Sequence, residues 1–440
     1  MKKITDKRKL IVYACAGLGV NMLNLIVGSY LCSALLVGGF EDNVENWTYL
    51  NKDLVVAGLW SVLFIIAKII DGLIDLPFSH FADNLKSKWG RRKTALVIGF
   101  VPMIIAYLLF LVPIQNVAGI PNTLWFAFVL FVFYGAYTLT MLTYYATFAE
   151  ITASSKDIVL LSNIKSVCDV VYFSLGFALL PAFVGMQMNI RLVALIFLPM
   201  SLTMLIPLFM LKETPSAQQT APAQRVTVLR SVAFTLKDRA YIGWLCVLFV
   251  MNMGLQLFLG GINEYFSTIE LNMPFIMPAC FVPVPFTILL YNKILAKKGM
   301  GFAYRYVLIV FSLGMSLMAL CKQVPPALQS LYAIGCGVIV SFSIGAFFAV
   351  TYTIPSHRAA LRKEENAAAS SMYFAIQGLF EASSAGLSGA LLVLLKQTGG
   401  VKFMTVVVAG ICIAACCLSF LLPKTITAIG HEESKGTAPN

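Results

Sequence analysis

Two carboxylates, Asp71 and Asp75, stand four residues apart in the apolar stretch AKIIDGLIDLPF (67–78). Four residues is about one helical turn, so on a helix both acids project from one face. In a low dielectric two such groups repel, and the pair must hold a proton or share a cation. Hard oxygen ligands for sodium, or a carboxyl that takes up a proton, are what a cation-coupling site needs. Lys68, three residues before Asp71, offers the competing reading of a structural salt bridge. A second pair, Lys165 and Asp169 in LLSNIKSVCDVVYF (160–173), has the same four-residue spacing and could neutralise itself. Glu264 in GGINEYF stands near the outer end of its run, where plain solvation competes with function; for Glu381 in YFAIQGLFEASSAG the sequence does not indicate which residue it meets. Asn21, Asn24, Tyr137, Tyr144, Tyr145, Gln256, Tyr373 and Gln377 are candidates to line a pocket for a polar solute, because sugars are held by hydrogen bonds and an aromatic face. Taken singly, each reads as packing.

The elements that carry these residues follow from composition. The 440 residues are 59% hydrophobic and 12% charged, with mean hydropathy +0.84. Soluble domains are about 45–50% apolar and about 25% charged. A water-soluble particle, a disordered chain and an ordinary cytosolic enzyme are excluded. The apolar runs are continuous and near 20 residues, which fits membrane helices rather than the alternating strands of a barrel. Twelve runs are expected to span: 10–36, 54–82, 94–113, 123–151, 158–184, 190–211, 242–268, 273–295, 306–321, 329–354, 367–395 and 403–422. With both termini in the cytoplasm, the inside segments carry 25 Lys and Arg and the outside segments 5, a strong positive-inside bias. The net charge of +12 is thus topology, and no nucleic-acid motif accompanies it. The basic start (Lys2, Lys3, Lys7, Arg8, Lys9) followed by a long apolar run reads as a first span that also serves as an uncleaved targeting signal.

The spans group as a half over 1–211, a polar cytoplasmic linker over 212–241 that ends in an interfacial helix, a second half over 242–422 and a disordered cytoplasmic tail over 423–440. Basic, glycine-containing turns, HFADNLKSKWGRRK (80–93) and YNKILAKKGMGFAYR (291–305), recur after the second span of each half. Six-helix repeats around a central site are a transporter design. Gly17 and Gly19 would let the first span approach a neighbour closely. No phosphate loop, HExxH or nucleophile elbow is present, the three His are scattered, and none of the ten Cys forms a CxxC pair. The Cys read as small buried apolar residues, and no cofactor or resident metal is expected beyond a coupling proton or sodium.

The stretch DGLIDLPFSHFADNLKSKWGRRKTALVIG (71–99) resembles the span-two to span-three signature of the melibiose-permease family, the glycoside–pentoside–hexuronide:cation symporters of the major facilitator fold. ATFAEIT (146–152) and AIQGLF (375–380) are similar to its span-four and span-eleven motifs. The resemblance implies an all-α fold of twelve transmembrane helices in two pseudo-symmetric halves that rock about a midplane site. It implies that Asp71, Asp75 and Thr138 hold the cation, and that Asn21, Lys165 and Gln377 face the solute; Tyr144 is expected beside them as an aromatic of the pocket. Asp83, Gly90, Arg91, Arg92 and Lys93 match the cytoplasmic gate turn. The departures are specific. Ile74 replaces an Asn between the carboxylates, which should weaken sodium more than proton binding. Asn21 and Met141 stand where galactoside members have sugar-binding Asp residues, and Ala382 or Glu381 stands where the family has a Lys. The expectation is a monomeric, cation-coupled symporter of a sugar or glycoside in the cytoplasmic membrane of a bacterium, not an enzyme. The alternatives are a lysolipid or amphipathic-drug transporter of the same fold and a non-transporting membrane sensor.

Overall fold

A continuous apolar run has no water to satisfy its amides, so it closes its hydrogen bonds along its own axis. The computed structural model describes residues 3–4, 6–40, 44–85, 87–151, 155–213, 235–271, 276, 279–361 and 369–429, some of them by their backbone alone. Helices are the regular elements among them, and no strand occurs. Eleven of these are long and apolar enough to cross a membrane. The expected eighth span, 273–295, falls partly outside the described residues, and its remainder opens the long helix Val284–Met318, which Gly299 kinks at φ 77°. The count among described residues is therefore eleven.

The chain forms two compact units, Met1–Pro222 and Ala223–Asn440. Most of the expected linker, residues 214–234, lies outside the described residues, and so does any interfacial helix there. In the first unit the opening span, Lys7–Leu35, is not one uniform helix. It comprises α1 (Lys7–Ala14), a 3-10 turn (Cys15–Gly17), α2 (Leu18–Ile26), a π turn (Val27–Leu31) and a second 3-10 turn (Ser33–Leu35). Asp6 caps its start, accepting from the Arg8 N–H at 2.9 Å. Then come α3 (Val44–Trp47), α4 (Ala57–Asn84), α5 (Arg91–Phe110), α6 (Ile120–Ile151), α7 (Ser155–Gly185), α8 (Ile190–Phe197) and α9 (Leu205–Met210). Helix α6 lies between α4 and α5, while α7 packs on α1 and α2. The 3-10 stretch Leu198–Met204 of the sixth span crosses α2. The expected close approach is realised at Gly19, where a Cβ would lie 1.8 Å from the Met200 carbonyl oxygen. Thr203 fastens this crossing, donating to the Ala16 carbonyl at 2.9 Å.

The second unit contains α10 (Arg239–Thr268), α11 (Val284–Met318), α12 (Pro326–Leu361), α13 (Ala369–Gln397), α14 (Met404–Ser419) and α15 (Lys424–Thr427). Helix α10 packs on α13 and α14, and α11 packs on α12 and α14. The expected disordered tail begins as structure: α15 is helical, and the Ile429 carbonyl accepts from the Met300 N–H at 2.9 Å. Residues 430–440 lie outside the described residues.

Both basic turns use a glycine at positive φ, Gly90 at 96° and Gly299 at 77°, just before a helix begins. The exposed N–H groups at such a start need acceptors. In the first unit the Glu213 carboxylate supplies them, taking the Arg92 N–H at 3.2 Å and the Lys93 N–H at 3.4 Å. A Cβ on Gly90 would fall 1.8 Å from Glu213 Oε2, so this position excludes side chains twice over.

Glu264 does not reach the aqueous surface. It is 0% exposed and pairs with Lys396 at 3.3 Å, tying α10 to α13. Lys396, one residue beyond the expected span 367–395, is itself 6% exposed. A neutral neighbour would have left either charge uncompensated, and removing one partner of such a pair typically costs about 3–5 kcal/mol. Lys396→Met should therefore lower the thermal unfolding midpoint of purified protein markedly. The double variant Glu264→Met/Lys396→Met should recover most of the loss. A single variant as stable as wild type would show that the pair does not hold these helices.

Candidate functional site

The carboxylate pair sits in the first unit, where α4 faces α6. Asp71 lies halfway along the 28-residue α4 and is partly buried. Thr138 Oγ1 on α6 donates to Asp71 Oδ1 at 2.8 Å, so the sequence-expected pair of acid and hydroxyl meets. Asp75, one turn on, is partly exposed. Ile74 also lies against α6: a Cβ on Gly135 would lie 3.6 Å from its Cδ1. Lys68 makes no salt bridge to Asp71 among the described residues. Its Nζ stands 3.5 Å from the centroid of the Tyr134 ring, a cation–π contact in place of the ion pair the spacing allowed.

A second cluster meets the next residue of α6. Tyr137 donates to Asn21 Oδ1 at 3.0 Å, and Asn21 Nδ2 donates to Asp169 Oδ1 at 3.3 Å. Lys165 forms an ion pair with Asp169 across one turn of α7, and its Nζ lies 5.3 Å from the Tyr145 ring. Lys165 and Asp169 keep 22% and 26% of their side-chain surface exposed, and Tyr145 38% of its surface. Adjacent residues of α6 thus serve both clusters: Thr138 holds the acid of α4 while Tyr137 holds the amide of α2. Cys15 and Cys168 lie beside this cluster with sulfurs 3.5 Å apart. Met141 is buried at 4% exposure, beside Gly17.

Two expected solute residues have other partners. Tyr144 is 0% exposed, stacks on Tyr13, and donates to the Tyr13 and Ala14 carbonyls at 2.8 and 2.9 Å. It fixes α6 to the first span, and its neighbour Tyr145 presents the accessible ring. Gln377, in the second unit, is 4% exposed with its amide fully engaged: Nε2 donates to the Thr351 carbonyl at 2.6 Å and to Glu381 Oε1 at 2.9 Å, and Oε1 accepts from Trp244 at 3.3 Å. Of the expected gate residues, Gly90, Arg91, Arg92 and Lys93 form the capped turn described above. The Asp83 side chain lies outside the described residues.

An ionic cluster that was not anticipated closes one end of the second unit. Asp238 caps α10, accepting from the Tyr241 N–H at 3.2 Å. Arg358 of α12 donates to both its oxygens at 2.7–3.0 Å, and the Tyr373 hydroxyl of α13 donates to Oδ2 at 2.9 Å. An acid directly before an apolar run is a helix-start signal that would have marked Asp238; nothing local marks Arg358 or Tyr373 as its partners.

The comparisons with known proteins agree with this architecture. The sequence model of the family described as MFS/sugar transport protein matches residues 12–427. No curated protein matches the chain in sequence. Among solved structures, the nucleoside transporter NupG is similar with a TM-score of 0.63 at 13% identity, over 95% of this chain and 99% of that one. A POT family transporter in complex with a thioalcohol-conjugated peptide gives 0.63 at 13% identity, over 96% and 97%. A bacterial homologue of the human lysosomal transporter Spinster, inward-facing and unoccupied, gives 0.58 at 11%, over 96% and 98%. At these identities the likeness is one of fold.

The Asp238 cluster gives a pH test. Burial pushes the Asp238 carboxyl up, but the bonds from Arg358 and Tyr373 outweigh burial and hold it below the ordinary carboxylate range. A depressed carboxyl stabilises fully above its unfolded pKa, about 3.9, and the contribution fades as pH falls through the folded value. Asp238→Asn should therefore unfold earlier than wild type at pH 7, and the gap should narrow once the pH drops below about 4. Unfolding midpoints of both proteins across that range check it; a gap independent of pH would assign the loss to packing.

Proposed function

The chain belongs to the MFS/sugar transport protein family, and on that premise we propose that it is a proton-coupled symporter of a sugar or glycoside. It is a membrane transporter of the major facilitator type, and the coupling and the cargo are our reading. The observation that carries it is the carboxylate pair Asp71 and Asp75 halfway along a membrane helix, with the Thr138 hydroxyl 2.8 Å from Asp71. An ionisable pair at that depth is costly unless it has work to do. Sodium needs several oxygens, whereas a proton needs one base. Ile74, standing between the two acids in sequence, has no oxygen to contribute to a cage, and that supports the proton.

Asn21, Lys165 and Asp169, with Tyr137 and Tyr145 beside them, would take up the hydroxyl groups of the solute. Tyr144 and Gln377 would act one step back, by holding helices and partners in place. The two clusters share α6, so a proton arriving at Asp71 changes the acceptor of Thr138, and the same helix carries Tyr137 to Asn21. That physical continuity supports coupling, in which the cation raises solute affinity and the solute raises cation affinity by the same factor. The setting would be the cytoplasmic membrane, with the protein acting as a monomer.

Vesicles holding the protein test the reading. Proton and sodium gradients would be imposed separately and a mixed panel of glycosides, pentosides and hexuronides offered. Uphill uptake should follow the proton gradient. Asp71→Asn and Asp75→Asn should each reduce accumulation at least about tenfold while the protein still reaches the membrane. Ile74→Asn should raise the response to sodium. Normal accumulation in both Asp variants would remove the coupling site. Absence of sugar uptake under either gradient, with folded protein, would move the cargo to lysolipids or amphipathic drugs.

A further inference from the structure

The second unit carries an amide, an acid and a residue four before that acid at places that correspond to those of the first. Asn252 lies midway along the 30-residue α10, as Asn21 lies midway along the 29-residue first span. Asn252 Nδ2 donates to the main-chain oxygen of Glu381 at 3.0 Å and to Ser384 Oγ at 2.7 Å. This places Glu381 of α13 at the depth of the middle of a membrane helix. In the first unit Asn21 donates to Asp169, and the residue four before the acid, Lys165, pairs with it. In the second unit the residue four before the acid is Gln377, which donates to the Glu381 carboxylate at 2.9 Å. An ammonium in one half is an amide in the other.

Gln377 is not free to turn away. Its remaining bonds, to the Thr351 carbonyl and from Trp244, hold its amide plane, and with it the direction of the Glu381 carboxylate. Glu381 itself stays partly exposed while Gln377, Asn252 and Ser384 around it are buried. An oriented, partly exposed carboxylate at mid-membrane depth binds hydrogen-bond donors strongly and disfavours anions, because charge acts over longer range in a low dielectric.

We propose that Glu381 is the specificity-determining acid of the second unit: it receives the hydroxyl or ammonium donors of the solute and turns anionic solutes away. The inference rests on the transporter reading above, and it adds that hexuronides are the poorest of the three sugar classes. Gln377 is then a positioning residue.

The test is binding to purified full-length protein in lipid nanodiscs at neutral pH, read as ligand-induced thermal stabilisation and converted to Kd. The probes are methyl glucoside, glucosamine, glucuronate and lysophosphatidylcholine, and the variants Glu381→Gln and Glu381→Asp. The unliganded midpoint of each variant reports folding. We expect glucosamine and methyl glucoside to bind wild type more tightly than glucuronate. Glu381→Gln should weaken the first two about tenfold or more and narrow their advantage over glucuronate, with Glu381→Asp intermediate. If sugars bind wild type and Glu381→Gln binds them equally well, the inference falls and the sugar reading stands. If only lysophosphatidylcholine binds, the sugar reading falls; the inference then survives only if Glu381→Gln weakens that ligand comparably, and falls otherwise. If no probe binds wild type at millimolar concentration, both fall.

Discussion

In hydrocarbon a polar side chain cannot turn to water, so a partner on another helix or on its own is worth much to it. This constraint governs both units. Asp71 is met by Thr138, Asn21 by Tyr137 and Asp169, Gln377 by Trp244 and Thr351, and Glu264 by Lys396. Every one of these contacts also fixes the rotation of a helix about its axis. The polar groups are therefore both the candidate chemistry and part of what determines helix packing. Apolar side chains fill the remaining space, but their contact with one another gains little over contact with lipid tails.

The two units share this logic and spend their charges differently. The first gathers three acids and two lysines around α4, α6 and α7, with the hydroxyls of α6 shared between clusters. Among the described residues the second holds the partly exposed Glu381 at its station and uses two further charge pairs for anchorage. Glu264 with Lys396 binds α10 to α13 within the membrane, and Asp238 with Arg358 and Tyr373 binds α10, α12 and α13 at one end. Halves that keep an amide and an acid at corresponding places while changing the residue that pairs with the acid can differ in what each recognises.

Helical class was legible because apolar length and the positive-inside bias are properties of the chain taken in order. The geometry of Asp71 and Asp75, and of Lys165 and Asp169, was legible for the same reason, since four residues fix a helical neighbour. What could not be read were partners distant in the chain. Lys396 stands 132 residues from Glu264, at the edge of its run, where it looks like a loop lysine. Arg358 stands 120 residues from Asp238. Even the local option failed once: Lys68 was near enough in sequence to pair with Asp71, but the face of Tyr134 holds it instead. Type and spacing named Tyr144 and Gln377 as polar groups in spans, yet could not tell that carbonyls and an indole already occupied them. Thr138 emerged only through the family resemblance.

The two helix starts after the glycine turns are closed by different atoms, and this makes them fragile in different ways. Glu213 closes the first with a side chain, so a single codon change can erase it. Ile429 closes the second with a main-chain carbonyl, which every amino acid possesses. That contact draws on no side-chain atom of residue 429. Random mutagenesis should thus register the first turn as intolerant at residue 213 and pass over the second, although both serve the same purpose in the fold.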